Sequence, residues 1–372
     1  MILRLRPAYF SDLLLWAVLA GLAPGVQAQS GDGSPTPPAA PAAQEPAAPA
    51  PGPGAQASLA DIQAQLQAPP VLLEAAGLTK GTAALKDKRF YIAEYRVLFE
   101  VSGSVSASTR AAYFGGRDYG ATRVSVNYQL PQPDIALLQA VVDRSYADFL
   151  ERLQAAGLKP EPAESFVRDH GAIYEAGAEA SKPGAPVYEE AELGYGKRKY
   201  LVLVPSGTRM VARGFIGLGA GNIGKRIEFS KSQLEGVSVG MVVNLAAQES
   251  SGGGSSMFKR GSSASASAAM EVAMAPKSVG VLQTHAHTQV VSLTAPLAVP
   301  GQFANLREVG GYDTQKDALV QGLNMLGRLT MGLAGNNSKK VDMVLDVDNA
   351  ALARMALQGL ATANSAAVAG IQ

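Results

Sequence analysis

Between Arg89 and Gly103 the chain reads RFYIAEYRVLFEVSG, with an apolar residue at every second position. Tyr91, Ala93, Tyr95, Val97, Phe99 and Val101 line one side, while Glu94, Arg96 and Glu100 mark the other. A period of two sustained over so long a run suits a β-strand and no helix. It predicts a long strand with one face on a core and the other in water. Something must then pack on the apolar face.

RVSVNYQL repeats the pattern, with Val124, Val126, Tyr128 and Leu130 on one side. The glycine-rich YFGGRDYG separates the two runs, so they are expected to pair antiparallel across a long loop. Next comes a helix over Pro133–Ala156, striped by Ile135, Leu138, Val142, Phe149 and Leu153. Pro133 suits its first turn, Asp134 complements the dipole there, and Gly157 takes the position just past its end. EEAEL followed by KRK reads as two solvated turns with partial charge pairing. YLVLV and RMVARGFIGL read as strands. A further helix is expected from Asp313 or Thr314, where Thr314 and Asp317 resemble a capping box. VDMVLDV is a buried strand, followed by an amphipathic helix capped by Asn349.

EGVSVGMVVNLAAQ and SASASAAMEVAMA flank the loop ESSGGGSSMFKRGSS. Val237, Val239, Met241, Val243 and Leu245 share a face of the first; Ala264, Ala266, Ala268, Met270, Val272 and Met274 share one of the second. Each is long enough to cross a bilayer as a tilted strand, which takes ~9–11 residues. Any sheet packed on one side alternates in the same way, so the pattern reads as a hairpin packed on the domain. Within the 249–262 loop, Met257, Phe258, Lys259 and Arg260 form an apolar and basic tip. An apolar pair left in water marks a contact, and the adjoining cations suit headgroups or an acidic partner surface.

The N-terminus bears on compartment. Arg4 and Arg6 precede the apolar run Leu13–Ala23, and Val26-Gln27-Ala28 supplies the small residues of a cleavage site. Residues 1–28 therefore read as a secretory signal peptide. The apolar run is too short for a span of ~20 residues, although Asp12 beside it leaves an uncleaved anchor as the alternative. Residues 29–57 are rich in proline and alanine and nearly free of bulky apolar side chains, the composition of a disordered tether. The remaining 58–372 reads as one envelope domain with a hairpin extension near 236–293. The chain has no cysteine, which excludes disulfides and a lipid-modified N-terminal cysteine. Removing Arg4, Arg6 and Asp12 from the 32 basic and 31 acidic residues leaves no net charge. A neutral chain has no overall field to draw nucleic acid, which is therefore not an expected partner.

Chemistry is harder to find. GAGNIG, Gly219–Gly224, matches a dinucleotide-binding pattern, but KRIEFSKSQLEG after it lacks a helical stripe and a ribose-binding acid at the required offset. His285 and His287, two of the three histidines, would stand ~6.7 Å apart on one face of a strand. Such a pair supplies half of a zinc site, with no third ligand fixed. Val279, Val281, Gln283, Gln289 and Val291 would share that face, making it a polar strip flanked by valines. No Gly-x-Ser-x-Gly elbow is present, and Glu189 and Glu190 fall in a charged loop. Neither an enzyme nor a cofactor is expected.

The helix SYADFLERLQAAGL that delivers a strand and loop, the long β-hairpin and the terminal helix after VDMVLDV resemble, in order of elements, the periplasmic α/β domain of the curli-secretion channel family. The likeness covers Phe90–Ala363. It implies a domain that oligomerises into a ring and hairpins that build an outer-membrane barrel; that family's lipidated cysteine is missing here.

The reading is of an α/β or α+β fold: a mixed, mainly antiparallel sheet with amphipathic helices packed on it and a long β-hairpin. The expected function is that of a non-enzymatic cell-envelope protein, periplasmic or outer-membrane associated, working in assembly, secretion or surface-structure maintenance. Its partners would be envelope proteins, itself as a homo-oligomer, and the outer membrane through the 249–262 loop. The alternative is a periplasmic small-molecule or metal-binding protein using His285 and His287.

Overall fold

The computed structural model describes residues 64–108, 113–118, 123–168, 186–208, 235–253, 263–274, 281–283, 288–313, 328–334 and 338–371, less a few positions inside those ranges. In chain order the elements begin with β1 (Thr79–Lys80), β2 (Phe90–Ser108), β3 (Tyr113–Phe114), β4 (Arg117–Asp118), β5 (Arg123–Gln129) and α1 (Ile135–Ala155). They continue with β6 (Val187–Leu193), β7 (Gly196–Leu203), β8 (Glu235–Gly253), β9 (Ser263–Met274), β10 (Val281–Gln283) and β11 (Thr288–Val290). The last are β12 (Ser292–Leu293), β13 (Leu297–Val299), β14 (Ala304–Asp313), β15 (Arg328–Ala334), β16 (Ser338–Val347) and α2 (Asn349–Gly370).

β2 is the trunk of the main sheet. Its first half runs parallel to β8, with Phe90 opposite Glu235 and Phe99 opposite Val243. Its second half pairs antiparallel with β5, from Ser102 opposite Gln129 to Ser108 opposite Arg123. β7 pairs with Val97–Gly103 and so overlaps both partners. β8 and β5 must therefore follow one another along the other edge of β2, and the sheet forks at Glu100. The register against β7 slips between Glu100 and Ser102, the two-against-one spacing of a bulge, which bends a strand and re-aims its side chains.

This position overturns the expectation of a solvated outer face. Glu94, Arg96 and Glu100 are all buried, Glu100 completely. Alternation shows which residues share a face, not whether that face is covered. Here a second, smaller apolar cluster of Leu98, Val187, Tyr200, Val202 and Val242 forms on it. Its rung runs across four strands, Val187 opposite Val202, Val202 opposite Leu98, and Leu98 opposite Val242.

The charged segment before it is not a pair of turns. β6 and β7 form a hairpin in which Glu190 faces Lys199 and Glu192 faces Lys197. Opposite charges placed directly across a ladder favour pairing, so the acidic-then-basic order that looked like loop is a strand-matching signal.

Beyond the fork, β8 continues as one arm of a hairpin with β9, from Val243 opposite Met274 to Gly253 opposite Ser263. The other edge of β9 takes β15 and β13. β5 pairs parallel with β16, which pairs antiparallel with β14. With two parallel contacts among many antiparallel ones, the sheet is mixed and mainly antiparallel, and it curls. Together with the helices this is the expected α+β architecture.

α1 matches its sequence pattern except at Ile135, which the stripe included and which is exposed. The Asp134 carboxylate accepts the Leu137 N–H at 3.0 Å as N-cap, and Gly157 follows the helix at φ 77°, in the left-handed region that glycine occupies without penalty. Pro133 stands before the cap and not within the first turn. Leu138, Val142, Phe149 and Leu153 are buried as expected. α2 starts one residue earlier than expected, because Asp348 and not Asn349 accepts the Ala351 N–H. It is also buried nearly all round, since α1, β9 and β13 surround it. Such enclosure demands small side chains. A Cβ on Gly359 would approach Val299 to 3.0 Å.

β10 and β11 pair antiparallel, with Gln283 opposite Thr288. Residues 279–280 and 284–287, among them His285 and His287, lie outside the described residues. Asp313 closes β14; Thr314–Asp317, 209–218 and Gly219–Gly224 lie outside the described residues.

Candidate functional site

At the fork, four strands converge on one carboxylate. Glu100 Oε1 accepts the Tyr128 hydroxyl of β5 at 2.5 Å, and Oε2 accepts Arg198 Nη1 of β7 at 2.7 Å and the Leu245 N–H of β8 at 2.8 Å. Arg198 Nη1 also donates to the Ala246 carbonyl at 3.1 Å, and the Tyr200 hydroxyl donates to Asn244 Oδ1 at 3.1 Å. A buried charge persists only when its lone pairs are filled and an opposite charge is close. Both conditions are met.

The electrostatics follow from that enclosure. Burial pushes the Glu100 carboxyl above the usual carboxylate range, and Arg198, Tyr128 and the Leu245 N–H pull it back only in part. Burial draws the Arg198 guanidinium down, but Glu100 and the neighbouring tyrosines more than offset this, so it stays charged. Burial, with Glu100 nearby, also drives the Tyr200 hydroxyl well above its ordinary value. Glu100 has no surface open to a substrate, so chemically this is a latch joining four strands.

Above the latch lies a groove of about 550 Å³ whose floor includes Tyr128 and Arg198. Its walls carry Ser102, Ser104, Asn127, Gln129, Lys199 and Asp342, with Glu190 and Lys197 at the β6–β7 side. They come from adjacent strands in register, as the slip after Glu100 turns Ser102 and Ser104 outward. Asn127 Nδ2 donates to Asp342 Oδ1 at 2.6 Å and Lys340 Nζ to Oδ2 at 3.0 Å. These two bonds hold the Asp342 carboxyl below its usual range, Asn127 contributing most.

A second polar knot sits where α1 and α2 meet the sheet. The Tyr95 hydroxyl shares a 2.7 Å bond with Ser145 Oγ and donates to Asn364 Oδ1 at 3.1 Å. Asn364 Nδ2 in turn donates to the Ser145 carbonyl at 2.9 Å and to Asp148 Oδ2 at 3.0 Å. It locks the helix pair.

The sites expected from sequence fall elsewhere. His285, His287, Met257, Phe258, Lys259 and Arg260 lie outside the described residues. Among the described residues no group of three or more His, Cys, Asp or Glu side chains is placed to hold a metal. Glu190 lies in a paired strand at the groove and not in a loop. The groove itself was missed, yet it had a signal in SGSVSAS: serines at 102, 104 and 106 alternating with the apolar residues that point inward.

No protein-family model matches the chain, and no curated protein or solved structure matches it.

Proposed function

We propose that the chain is an exported, non-enzymatic cell-envelope protein that works in assembly, secretion or surface-structure maintenance through protein contacts. The observation that carries this reading lies at the outer strands of the sheet. β6, β11 and β14 each pair on one edge only among the described residues, and each exposes a large apolar side chain: Tyr188, Val290 and Val309. Exposed apolar residues on open strand edges are contact surfaces for another chain. On β14 a register slip between Glu308 and Gly310 leaves Val309 without a partner. Such a bulge interrupts pairing along an edge, so the contact made there is by side chains and not by a full added strand.

Two further points support the reading. Glu100, a buried carboxylate raised above its ordinary range by burial, is bound into the fold and faces no solvent. The order of elements that resembles the curli-secretion channel family accords with a ring-forming body and a hairpin extension, here β8 and β9. In this reading the tip Met257–Arg260 between those strands is a second contact. No described helix is long and apolar enough to cross a membrane.

Fractionating cells and sizing the native complex tests the proposal. The expected result is an envelope-associated assembly that Val309→Lys or Tyr188→Lys disperses while the melting temperature holds. A monomer recovered free of the envelope fraction would remove it.

A further inference from the structure

Two polar rungs line the groove above Glu100, and a third continues the same face of the sheet beyond it. Glu190, Lys199, Ser102 and Gln129 stand opposite one another across β6, β7, β2 and β5. Ser104, Asn127 and Asp342 form the next rung across β2, β5 and β16, and Ser106, Ser125 and Lys340 the third. Residues directly opposite share a face, as do alternate residues along a strand. The result is one continuous surface of hydroxyls, amides, ammonium groups and carboxylates, spaced by the ~4.8 Å between strands.

Its charges cancel locally. Lys199 faces Glu190 across the hairpin, Arg198 is paired with Glu100, and Lys340 Nζ lies 3.0 Å from Asp342 Oδ2. No field of one sign selects an anion or a cation. Donors and acceptors are both plentiful, and apolar surface, to which Met343 contributes, is interspersed among them. At the rim stands Tyr188, 38 % exposed, with Lys199 Nζ 4.8 Å from its ring centroid. An aromatic edge beside dense neutral hydrogen-bonding groups complements a ligand with hydroxyls on its rim and C–H groups on its faces.

From these features we infer that this groove binds a neutral oligosaccharide. The site is rigid, because its floor is the Glu100 latch, and wide enough at about 550 Å³ for a few sugar rings. Gln129 and Ser104 reach the ligand from adjacent strands, Asn127 is oriented by its bond to Asp342, and Tyr188 borders one end. The inference shares Tyr188 with the strand-edge contacts proposed above, whereas Gln129 and Ser104 stand on interior strands away from those edges.

Calorimetric titration of the full chain with two soluble probes decides it: a β-1,4-linked N-acetylglucosamine tetramer and an α-1,4-linked glucose tetramer. Saturable binding of either, insensitive to added salt and weakened about tenfold by Gln129→Ala with Ser104→Ala, is expected; that factor matches the loss of one or two hydrogen bonds. If the double variant melts lower than the parent, the exposed Gln129→Ala alone provides the comparison. Failure of both probes to bind at millimolar concentration would overturn the inference. So would binding that the substitutions leave unchanged or that salt abolishes.

Discussion

Glu100 Oε2 and Arg198 Nη1 lie 2.7 Å apart, and their side chains are 0 % and 9 % exposed. Separated by 98 positions in the chain, they pin β7 to β2 where the sheet divides. Removing one partner of such a pair strands the other charge in a dry site. Arg198→Met is therefore expected to cost about 3–5 kcal/mol of stability, whereas Arg198→Met with Glu100→Gln should recover much of the loss. Denaturant unfolding of the three proteins checks this. Equal stabilities for parent and single variant would show that the pair holds nothing.

The two perturbed carboxyls should tilt stability against pH in opposite senses. Glu100 is raised by burial, so the folded state binds its proton more tightly than the unfolded chain does. Its contribution is complete below the ordinary value near 4.5 and is lost as pH rises through the higher folded value. Asp342 is lowered by Asn127 and Lys340, so its contribution is present above its ordinary value and lost as pH falls through the lower folded one. Glu100→Gln should thus remove a decline of stability with rising pH, and Asp342→Asn a decline with falling pH. Unfolding midpoints measured across the acid range would reveal either slope; identical profiles in parent and variants would contradict both.

The knot between the helices should be a second sensitive polar site in the core. Asn364 is fully buried and bonds three partners on two elements, Tyr95, Ser145 and Asp148. Asn364→Leu deprives several buried groups at once and is expected to cost about 3 kcal/mol, while Tyr95→Phe should cost about 1 kcal/mol. Thermal and chemical unfolding can rank the two. The reverse order would mean that Tyr95, not Asn364, organises the knot.

Long periodic runs were legible from sequence for a physical reason: each pattern is local. The β2 alternation, the α1 stripe and the pairing of β8 with β9 need only their own residues to declare themselves. What covers a face is not local. Glu94, Arg96 and Glu100 looked solvated because the apolar side chains that share their face, Val187, Tyr200 and Val242 among others, arrive from distant strands. The Glu190–Lys199 and Glu192–Lys197 rungs were hidden for a different reason, since charge-rich strands and charge-rich turns share a composition. The His285/His287 strip rested on periodicity alone and lies outside the described residues. The groove was half visible in the alternating serines of β2, but its other walls depend on the β5–β16 and β6–β7 registers.

The last prediction separates two adjacent glycines of β14. Gly310 has an ordinary backbone conformation, and a Cβ there would meet nothing. Gly311 has φ 149°, and its Cβ would run into the Lys340 carbonyl of β16. Both follow the bulge at Val309, so sequence position alone does not distinguish them. Because backbone cannot yield as a flexible side chain does, Gly311→Ala is expected to lose about 2 kcal/mol, and Gly310→Ala less than about 0.5 kcal/mol. The cost should appear at the third rung as well, since Lys340 would move with its carbonyl and loosen its bond to Asp342. Unfolding of both variants, with the Asp342 titration followed by NMR, tests the pair. A Gly311→Ala protein as stable as its parent would show that β14 can shift on β16, and that the bulge does not fix the outer edge of the sheet.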